Sequence, residues 1–326
     1  MNRNLRKIYE YKLPESYIPL EYYKLREWIT LDKINNNIFK NRHPKTIDLV
    51  HPLDFNKITT HDKYSISANP VLIDLIKTYP EIINWDGLSL NSHPYAIELI
   101  EKKLEDPQID RDMSRKISWY SLSTNRSAIH ILKANPDKIE WGALSCNPNA
   151  IELLKERIME NLDIDNMDVD DIDINLINKQ IWWSYLSDND AAIELLLMKP
   201  DKIVWVALNN NKNAIDLLEA NPDKINWTNI SNNSGAGHLI EQNLDKINWK
   251  LLTNNPCAID LVKANQDKVE EWYYLSQNPN IFTYNYELLT ERISCFKEEL
   301  ISKIHHPKRI KKLLSMGLSI EEICEL

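Results

Sequence analysis

The sequence predicts an all-α fold, an α-solenoid of about eleven short helix pairs with capping ends. The first observation behind this prediction is a series of tryptophans, Trp183, Trp205, Trp227 and Trp249, in which each lies 22 residues after the last. The second is that apolar residues between them recur at helical spacing. The third is that Asn and Pro, and not Gly, mark the turns. A fixed period of this length is the signature of a repeat architecture.

Each of these tryptophans has the same position in its repeat. The full set, called the ladder tryptophans below, is Trp85, Trp119, Trp141, Trp183, Trp205, Trp227, Trp249 and Trp272. From Trp119 onward, each is followed six residues later by an asparagine, as Trp141 is by Asn147. A spacing this constant predicts that the Trp and the Asn belong to one structural joint, and that the ladder tryptophans are core residues.

The segment after each such asparagine carries helix signals. Asn147 is a good N-cap, since its side-chain oxygen can accept from a free N–H of the first turn, and Pro148 suits the first helical position. The apolar residues that follow share one helical face: Ala150, Ile151, Leu153 and Leu154. The pattern predicts a first helix of about ten residues in each repeat.

The rest of the unit predicts a second, shorter helix around the ladder tryptophan. Its apolar set is Ile139, Trp141 and Leu144 in the copy that ends at Asn147. Helices this short depend on stacking against neighbouring pairs. The alternative is a leucine-rich-repeat-like solenoid, which needs a strand before the asparagine. The helical spacing after Asn147 favours the all-helical interpretation.

Composition narrows the function classes. The formal net charge is −9, and no Lys or Arg stripe recurs beyond the Lys of the Asp-Lys-Ile motif, so we expect no nucleic-acid partner. No apolar run is long enough for a signal peptide or a membrane span, which predicts a soluble, unsecreted protein. The four cysteines lack any C-x-x-C pairing, which favours a reducing compartment.

The expected organisation is an N-terminal cap segment over 1–30, a repeat array over 31–290 and C-terminal capping helices over 291–326. Two insertions, near 104–115 and 159–180, enter the array at the same point of the unit. We therefore expect both on one edge, where repeat arrays tolerate insertions and often bind partners.

The longer insertion supplies the candidate partner-binding residues. They are Asp163, Asp165, Asp168, Asp170, Asp171 and Asp173. A calcium loop is one interpretation, but the EF-hand positions that need oxygen or glycine hold Met167, Asp168 and Ile174 instead. A solvated acidic loop and a docking element for a basic partner are the others.

No catalytic motif is present. The sequence has neither a metalloprotease H-E-x-x-H, a G-x-S-x-G, a phosphate-binding loop nor a Rossmann glycine pattern. We therefore expect no enzyme, no cofactor and no metal site. His43, His93 and His306 precede the repeat proline and are interpreted as N-caps. One carboxylate per unit forms an outward row: Glu98, Glu152, Glu194, Asp216 and Asp260.

The ends of the array depart from the consensus. Asp32-Lys33-Ile34 matches the repeat, but Asn36 takes the tryptophan position. Polar replacements of this kind are expected to seal the terminal faces of the array. Inside the array, Gly237 stands where other copies have Ile, so either a neighbouring side chain fills the gap or the array bends there.

The repeat resembles one known group of sequences. The residues that carry the resemblance are the segments from Asn147 to Leu154, from Asn221 to Trp227 and from Asn278 to Tyr286. They are similar to the uncharacterised repeat proteins encoded by giant DNA viruses of the mimivirus type. The resemblance covers about residues 25 to 315 and implies a viral repeat protein, but it implies no particular activity.

The expected function is a non-catalytic repeat scaffold that mediates protein–protein interaction with a viral or host protein, in the host cytoplasm or the virion. One alternative is a structural component of the virion. Another is a substrate receptor that delivers a host protein to a ligase or protease. The oligomeric state is left open.

Overall fold

The computed structural model describes residues 20–50, 58–105, 117–160, 180–294, 304–320 and 323. The chain divides into two compact units, one containing Glu27–Ile281 and the other containing both chain ends, Met1–Arg26 and Phe282–Leu326. The expected division into an N-terminal cap segment, a repeat array and C-terminal capping helices stays a prediction. No helix among the described residues is long and apolar enough to cross a membrane.

The fold is mostly helical, as predicted. The α-helices are α1 Thr46–Val50, α2 Thr60–Ala68, α3 Ile73–Thr78, α4 Trp85–Leu90, α5 Pro94–Leu104, α6 Trp119–Thr124, α7 Ile129–Ala134, α8 Trp141–Leu144, α9 Ile151–Met159, α10 Trp183–Asp188, α11 Ile193–Met198, α12 Trp205–Leu208, α13 Ile215–Glu219, α14 Trp227–Ile230, α15 Gly237–Gln242, α16 Trp249–Leu252, α17 Ile259–Ala264, α18 Tyr286–Ser294 and α19 Pro307–Ser315. Short 3₁₀ helices connect many of them, such as Pro136–Lys138 and Pro222–Lys224.

The unit containing the chain ends holds α18, α19 and one antiparallel strand pair. Strand β1 Tyr23–Leu25 pairs with β2 Phe282–Tyr284, with Tyr23 opposite Tyr284 and Leu25 opposite Phe282. The backbone N–H of Asn285 donates to the carbonyl of Tyr22 at 2.6 Å and extends this pairing. In α19, the His306 ring accepts from the backbone N–H of Lys308 at 3.2 Å, so this histidine is an N-cap as expected.

From Trp85 to Trp249, each repeat of the larger unit contains a second helix that begins at the ladder tryptophan and a first helix that follows the next asparagine. Most first helices are shorter than the expected ten residues, as α7 and α11 show with six each. The side chain of Asn125 accepts from Ser127 N–H two residues on, and its carbonyl accepts from Ala128 N–H. This tight turn occupies the residues that were expected to form the first helical turn. The segment before Asn147, where the leucine-rich-repeat alternative needs a strand, is helix α8.

One core runs through the unit. The leucine three residues after the ladder tryptophan is fully buried in repeat after repeat, for example Leu122, Leu144 and Leu186. Leu132 and Leu154 of the first helices are equally buried and belong to the same cluster. Burial of a leucine contributes roughly 1.5–3 kcal/mol, so stacking of repeats supplies the stability that the short helices lack.

Buried asparagines connect neighbouring repeats. These joint asparagines are Asn41, Asn69, Asn91, Asn125, Asn147, Asn189, Asn211, Asn233, Asn255 and Asn278. The side chain of Asn147 accepts from Asn149 N–H at 3.0 Å, but residues 148–150 form a turn and α9 begins at Ile151 with Ala150 as its N-cap, so the predicted N-cap role of Asn147 is wrong. Its amide group also donates to the carbonyls of Ser123 and Asn125 in the preceding repeat, at 2.9 and 3.0 Å. Each joint asparagine thus satisfies backbone groups in two repeats at once.

A second connection uses the residue two positions before the joint asparagine, which is usually serine. Ser145 donates its hydroxyl to the carbonyl of Trp141 at 2.9 Å and accepts from the backbone N–H of Trp182 in the next repeat at 3.1 Å. Asn209 does the same in its repeat, donating to Trp205 and accepting from Asn226 N–H. The Trp, Ser and Asn positions therefore form one joint, as their constant spacing predicts.

The first joint is bonded to the last. The Asn41 amide donates to the carbonyls of Ser276 and Asn278 at 2.9 and 2.8 Å, the same pattern as between consecutive repeats. The Asn35 N–H donates to the Ser276 hydroxyl at 3.0 Å, which reproduces the serine connection. The order of neighbours within this unit consequently has no free end. The first copy was expected to seal an exposed face, but its Asn41 carries the consensus side chain and pairs with the last repeat instead.

The ladder tryptophans, expected to be core residues, are half-buried. They pack against the core cluster with one edge in solvent. Several are covered by a lysine from the next repeat: Lys246 lies 4.9 Å from the ring centre of Trp227, and Lys268 lies 5.0 Å from that of Trp249. Lys33 lies 4.5 Å from that of Trp272, so the first and last copies repeat this contact too.

Two glycines in one repeat give a matched test of local packing. A Cβ at Gly237 would meet no atom within 4 Å, so no neighbouring side chain occupies that position. We expect Gly237→Ala to raise the free energy of unfolding by about 0.5–1 kcal/mol, because alanine has less conformational freedom to lose on folding. Chemical denaturation measures this change.

Gly235 is the control for that substitution. A Cβ there would lie 2.3 Å from the carbonyl oxygen of Lys212, a backbone atom. Gly235→Ala should therefore lower the free energy of unfolding by about 1 kcal/mol or more. Equal effects of Gly235→Ala and Gly237→Ala would contradict this packing difference.

Candidate protein-binding surface

The acidic candidates fall outside the described residues. Asp163, Asp165, Asp168, Asp170, Asp171 and Asp173 all lie within 161–179. Of the shorter insertion, residues 106–116 are also outside. The binding role expected for these insertions therefore stays a prediction.

The second helices form the tightest layer of the larger unit. Consecutive second helices pack directly on one another, as α2 does on α4, α4 on α6, α6 on α8 and α10 on α12. The 3₁₀ helices Leu275–Gln277 and Asn36–Lys40 make the same contact between the last and first copies. In a closed order of repeats, elements that lie closest together are those on the inside. We call the surface of these second helices the inner surface of the repeats.

We define the inner strip as the residues one position before and one and two positions after the ladder tryptophan position in each repeat. Three aromatic residues of this strip form a cluster. The Trp182 and Tyr185 ring centres are 5.1 Å apart, and those of Trp182 and Tyr120 are 6.4 Å apart. The hydroxyls of Tyr120 and Tyr185 are 3.0 Å apart and hydrogen-bonded. This bond joins side chains that belong to repeats two steps apart.

Gly142 leaves the space in which Tyr120 and Tyr185 can meet across the repeat between them. Gly142 directly follows Trp141 in the intervening repeat, as Tyr120 directly follows Trp119. A Cβ at Gly142 would lie 2.3–2.6 Å from three atoms of the Trp182 indole. The indole therefore rests on the backbone of α8, and any larger residue would displace it.

The apolar surface continues into the next repeat. Val204 and Val206 flank Trp205 in α12, and Val206 is 60% exposed. Tyr120 and Trp182 are also exposed, at 43% and 42%. Large apolar side chains scattered singly on a surface are ordinary, but here they recur directly before or after the ladder tryptophan in three repeats. An exposed apolar cluster of this kind is typical of a protein-binding site.

Two carboxylates flank the aromatic cluster. Asp188 lies one helical turn after Tyr185 on α10, and Glu140 holds the position in its repeat that Trp182 holds in the next. Neither has a side-chain hydrogen bond or ion pair with any described residue. Surrounding protein atoms and the nearby charge of Asp190 raise the pKa of Asp188. The site therefore holds negative charge that lacks a cationic partner in the described part of the chain.

The cluster also changes the pKa of Tyr120. The pKa of Tyr120 is raised to about 12, chiefly by its hydrogen bond with Tyr185. Burial and the charge of Tyr185 are smaller causes. Burial raises the pKa of the nearby Cys146 thiol, and the charge of Asp188 adds to this effect. Both groups therefore stay neutral at physiological pH.

The nearby cations are directed elsewhere. Lys212 pairs with Asp190 at 2.7 Å. Arg126 follows the joint asparagine of the Tyr120 repeat, and it lies close enough to Arg42 for its charge to lower the Arg42 pKa, after a larger effect of burial. Lys212 is thus already paired, and Arg126 lies beside another arginine.

The other residues singled out by sequence have structural roles. The rings of His43 and His93 accept from the N–H two residues on, both at 3.1 Å. His93 is the N-cap of α5, whereas His43 lies in the turn that precedes α1. The carboxylate row of Glu98, Glu152, Glu194, Asp216 and Asp260 is exposed on the first helices. Among the described residues, no three His, Cys, Asp or Glu side chains are placed to hold a metal ion.

Sequence reasoning missed the aromatic cluster. Its signal was that Trp182 stands outside the ladder, directly before Trp183, where other copies have a polar residue such as Glu140 or Asn226. The site is marked by two neighbouring repeats. One has the large apolar residue Trp182 where other copies have a polar residue, and the preceding one has Gly142 directly after its ladder tryptophan. Comparisons of the chain with protein-family models, with curated proteins and with solved structures found no match.

Proposed function

We propose that this chain is a non-catalytic scaffold whose repeats form a closed α-solenoid and bind another protein through the inner strip. The observation that carries this proposal is the exposure of Tyr120, Trp182, Val204 and Val206 on the second helices of three repeats. Aromatic residues of this type carry much of the binding energy in protein interfaces. The repeat joints support the scaffold role, because their hydrogen bonds hold the repeats together without using the side chains of the inner strip. The residue types of the strip can therefore differ from repeat to repeat.

The closed arrangement is supported by three contacts that repeat between the first and last copies. They are the Asn41 amide bonds, the Asn35 bond to the Ser276 hydroxyl and the stacking of Lys33 on Trp272. A closed array has about ten repeats, one for each joint asparagine, in place of eleven helix pairs with caps. Closure fixes the curvature of the inner strip and therefore the spacing of its side chains.

The resemblance to giant-virus repeat proteins motivates a partner that is viral or host, met in the host cytoplasm or in the virion. A virion structural component and a substrate receptor for a host ligase or protease use the same binding surface. The identity of the captured protein separates them, since capsid proteins favour the first and ligase or protease subunits favour the second.

Affinity capture with paired variants tests the proposal. Trp182→Ser combined with Val206→Ser removes two exposed apolar residues from the inner strip. We expect at least about a tenfold loss of the partner protein, since two interface residues of this size contribute roughly 1–2 kcal/mol each. The readout is quantitative mass spectrometry of proteins retained from host cells.

The matched control is Leu197→Ser combined with Met198→Ser. These residues are also exposed, at 56% and 46%, but lie on the first helix α11. The control variant should retain the partner like the unmodified protein. Identical sets of retained proteins for both double variants would show that the inner strip is not the binding surface.

A further inference from the structure

We propose that the aromatic cluster binds an arginine side chain of the partner protein, with the guanidinium on the Trp182 and Tyr120 rings and beside the Asp188 carboxylate. This inference rests on the proposed protein-binding function and names the chemistry of the same site. The partner segment is basic, because the carboxylates of Glu140 and Asp188 lack a cationic partner among the described residues.

Charge complementarity is the first argument. Glu140 and Asp188 belong to the repeats of the cluster and lack a cationic partner among the described residues, while Lys212, which follows the joint asparagine Asn211, is paired with Asp190. Asp188 carries its charge against both the surrounding protein and the neighbouring Asp190. A bound guanidinium would relieve both effects and add a charge-assisted hydrogen bond.

Ring placement is the second argument. Trp182 rests one part of its surface on the Gly142 backbone and keeps 42% of its area exposed. Tyr120, 6.4 Å away between ring centres, is equally exposed. Cations bind over such ring faces, and tryptophan is the best of the aromatic side chains for this contact.

Arginine fits these features better than lysine. Its planar guanidinium stacks on aromatic rings and is more weakly hydrated, so less free energy is lost when it leaves water. Its N–H groups can also reach a carboxylate while the plane stays on a ring. The molecule uses similar pairs internally, where Arg157 lies 4.9 Å from the ring centre of Trp141.

The test uses a blocked tetra-arginine peptide and the full chain labelled with 5-fluorotryptophan. Fluorine NMR resolves the individual tryptophans, and Trp182→Phe identifies the Trp182 resonance. We expect the peptide to shift that resonance at about 0.15 M salt, where distant charges are screened. A tetra-citrulline peptide, which has the same shape without the charge, should give no shift.

Two substitutions with the same change in net charge separate local from general electrostatics. Asp188→Asn should weaken the peptide about tenfold, while Asp216→Asn on the exposed face of α13 should change the dissociation constant by less than about twofold. Melting temperatures of both variants verify the fold. Equal shifts with citrulline, or equal losses for Asp188→Asn and Asp216→Asn, would overturn the arginine assignment.

The proposed function and the arginine assignment fail in different ways. If Trp182→Ser with Val206→Ser loses the partner protein but the arginine peptide leaves the Trp182 resonance unmoved, the scaffold binds through the strip by apolar contacts alone. If partner capture is also unaffected by that double variant, both proposals are wrong.

Discussion

Asn147→Ala and Asn41→Ala should destabilise the protein equally, each by roughly 2–5 kcal/mol in free energy of unfolding. Asn147→Ala leaves the carbonyls of Ser123 and Asn125 and the N–H of Asn149 without partners in a buried site. Each buried polar group left unsatisfied costs about 1–3 kcal/mol. Asn41→Ala removes the corresponding bonds to Ser276, Asn278 and His43.

The equality of the two losses is what tests the closed array. In an open array, Asn41 would lie at a free end and serve only as an N-cap, whose loss costs about 1 kcal/mol. Asn221→Ala is the control, because the Asn221 amide donates only to Leu217 of its own repeat, at 2.9 Å. Urea denaturation of the three variants gives the comparison. A loss for Asn41→Ala no larger than that for Asn221→Ala would contradict closure.

The helices of this fold were predictable because their signals are local. The spacing from Trp141 to Asn147 and the apolar residues after it depend on a few consecutive positions. That the Asn147 side chain accepts from a nearby backbone N–H was predictable for the same reason. Its amide donors were not, since no local pattern says which carbonyls the neighbouring repeat presents.

Closure depends on a quantity that sequence patterns do not contain. Asp32-Lys33-Ile34 and Asn41 match the consensus, which marks the first copy as a full partner for a neighbour. Whether that neighbour is the last copy depends on small rotations that accumulate over all the repeats. The insertions add a further limit, because 106–116 and 161–179 interrupt the period without revealing their own conformation.

The candidate site was missed because it combines three repeats. Tyr120 and Tyr185 are 65 residues apart in the chain and meet only because Gly142 leaves room between their repeats. The acidic insertion was predicted as a binding element because its charges lie close together in the sequence. The inner carboxylates Glu140 and Asp188 are isolated in sequence, and only the fold brings them to the same surface.

The tryptophans therefore divide into a structural set and a binding residue, and two substitutions should separate them. Trp227→Ala should lower the free energy of unfolding by about 2–3 kcal/mol. The ring packs on the core and carries Lys246 at 4.9 Å, yet it is only half-buried, so the loss falls below the 3–5 kcal/mol typical of a fully buried tryptophan.

Trp182→Ala should behave in the opposite way. The ring is 42% exposed and rests on Gly142, so its loss should cost less than about 1 kcal/mol of stability while partner binding falls. Thermal melting and partner capture are measured for both variants. A variant Trp182→Ala that melts far below Trp227→Ala would show that the aromatic cluster stabilises the repeats, in which case its exposure on the inner strip is no evidence of binding.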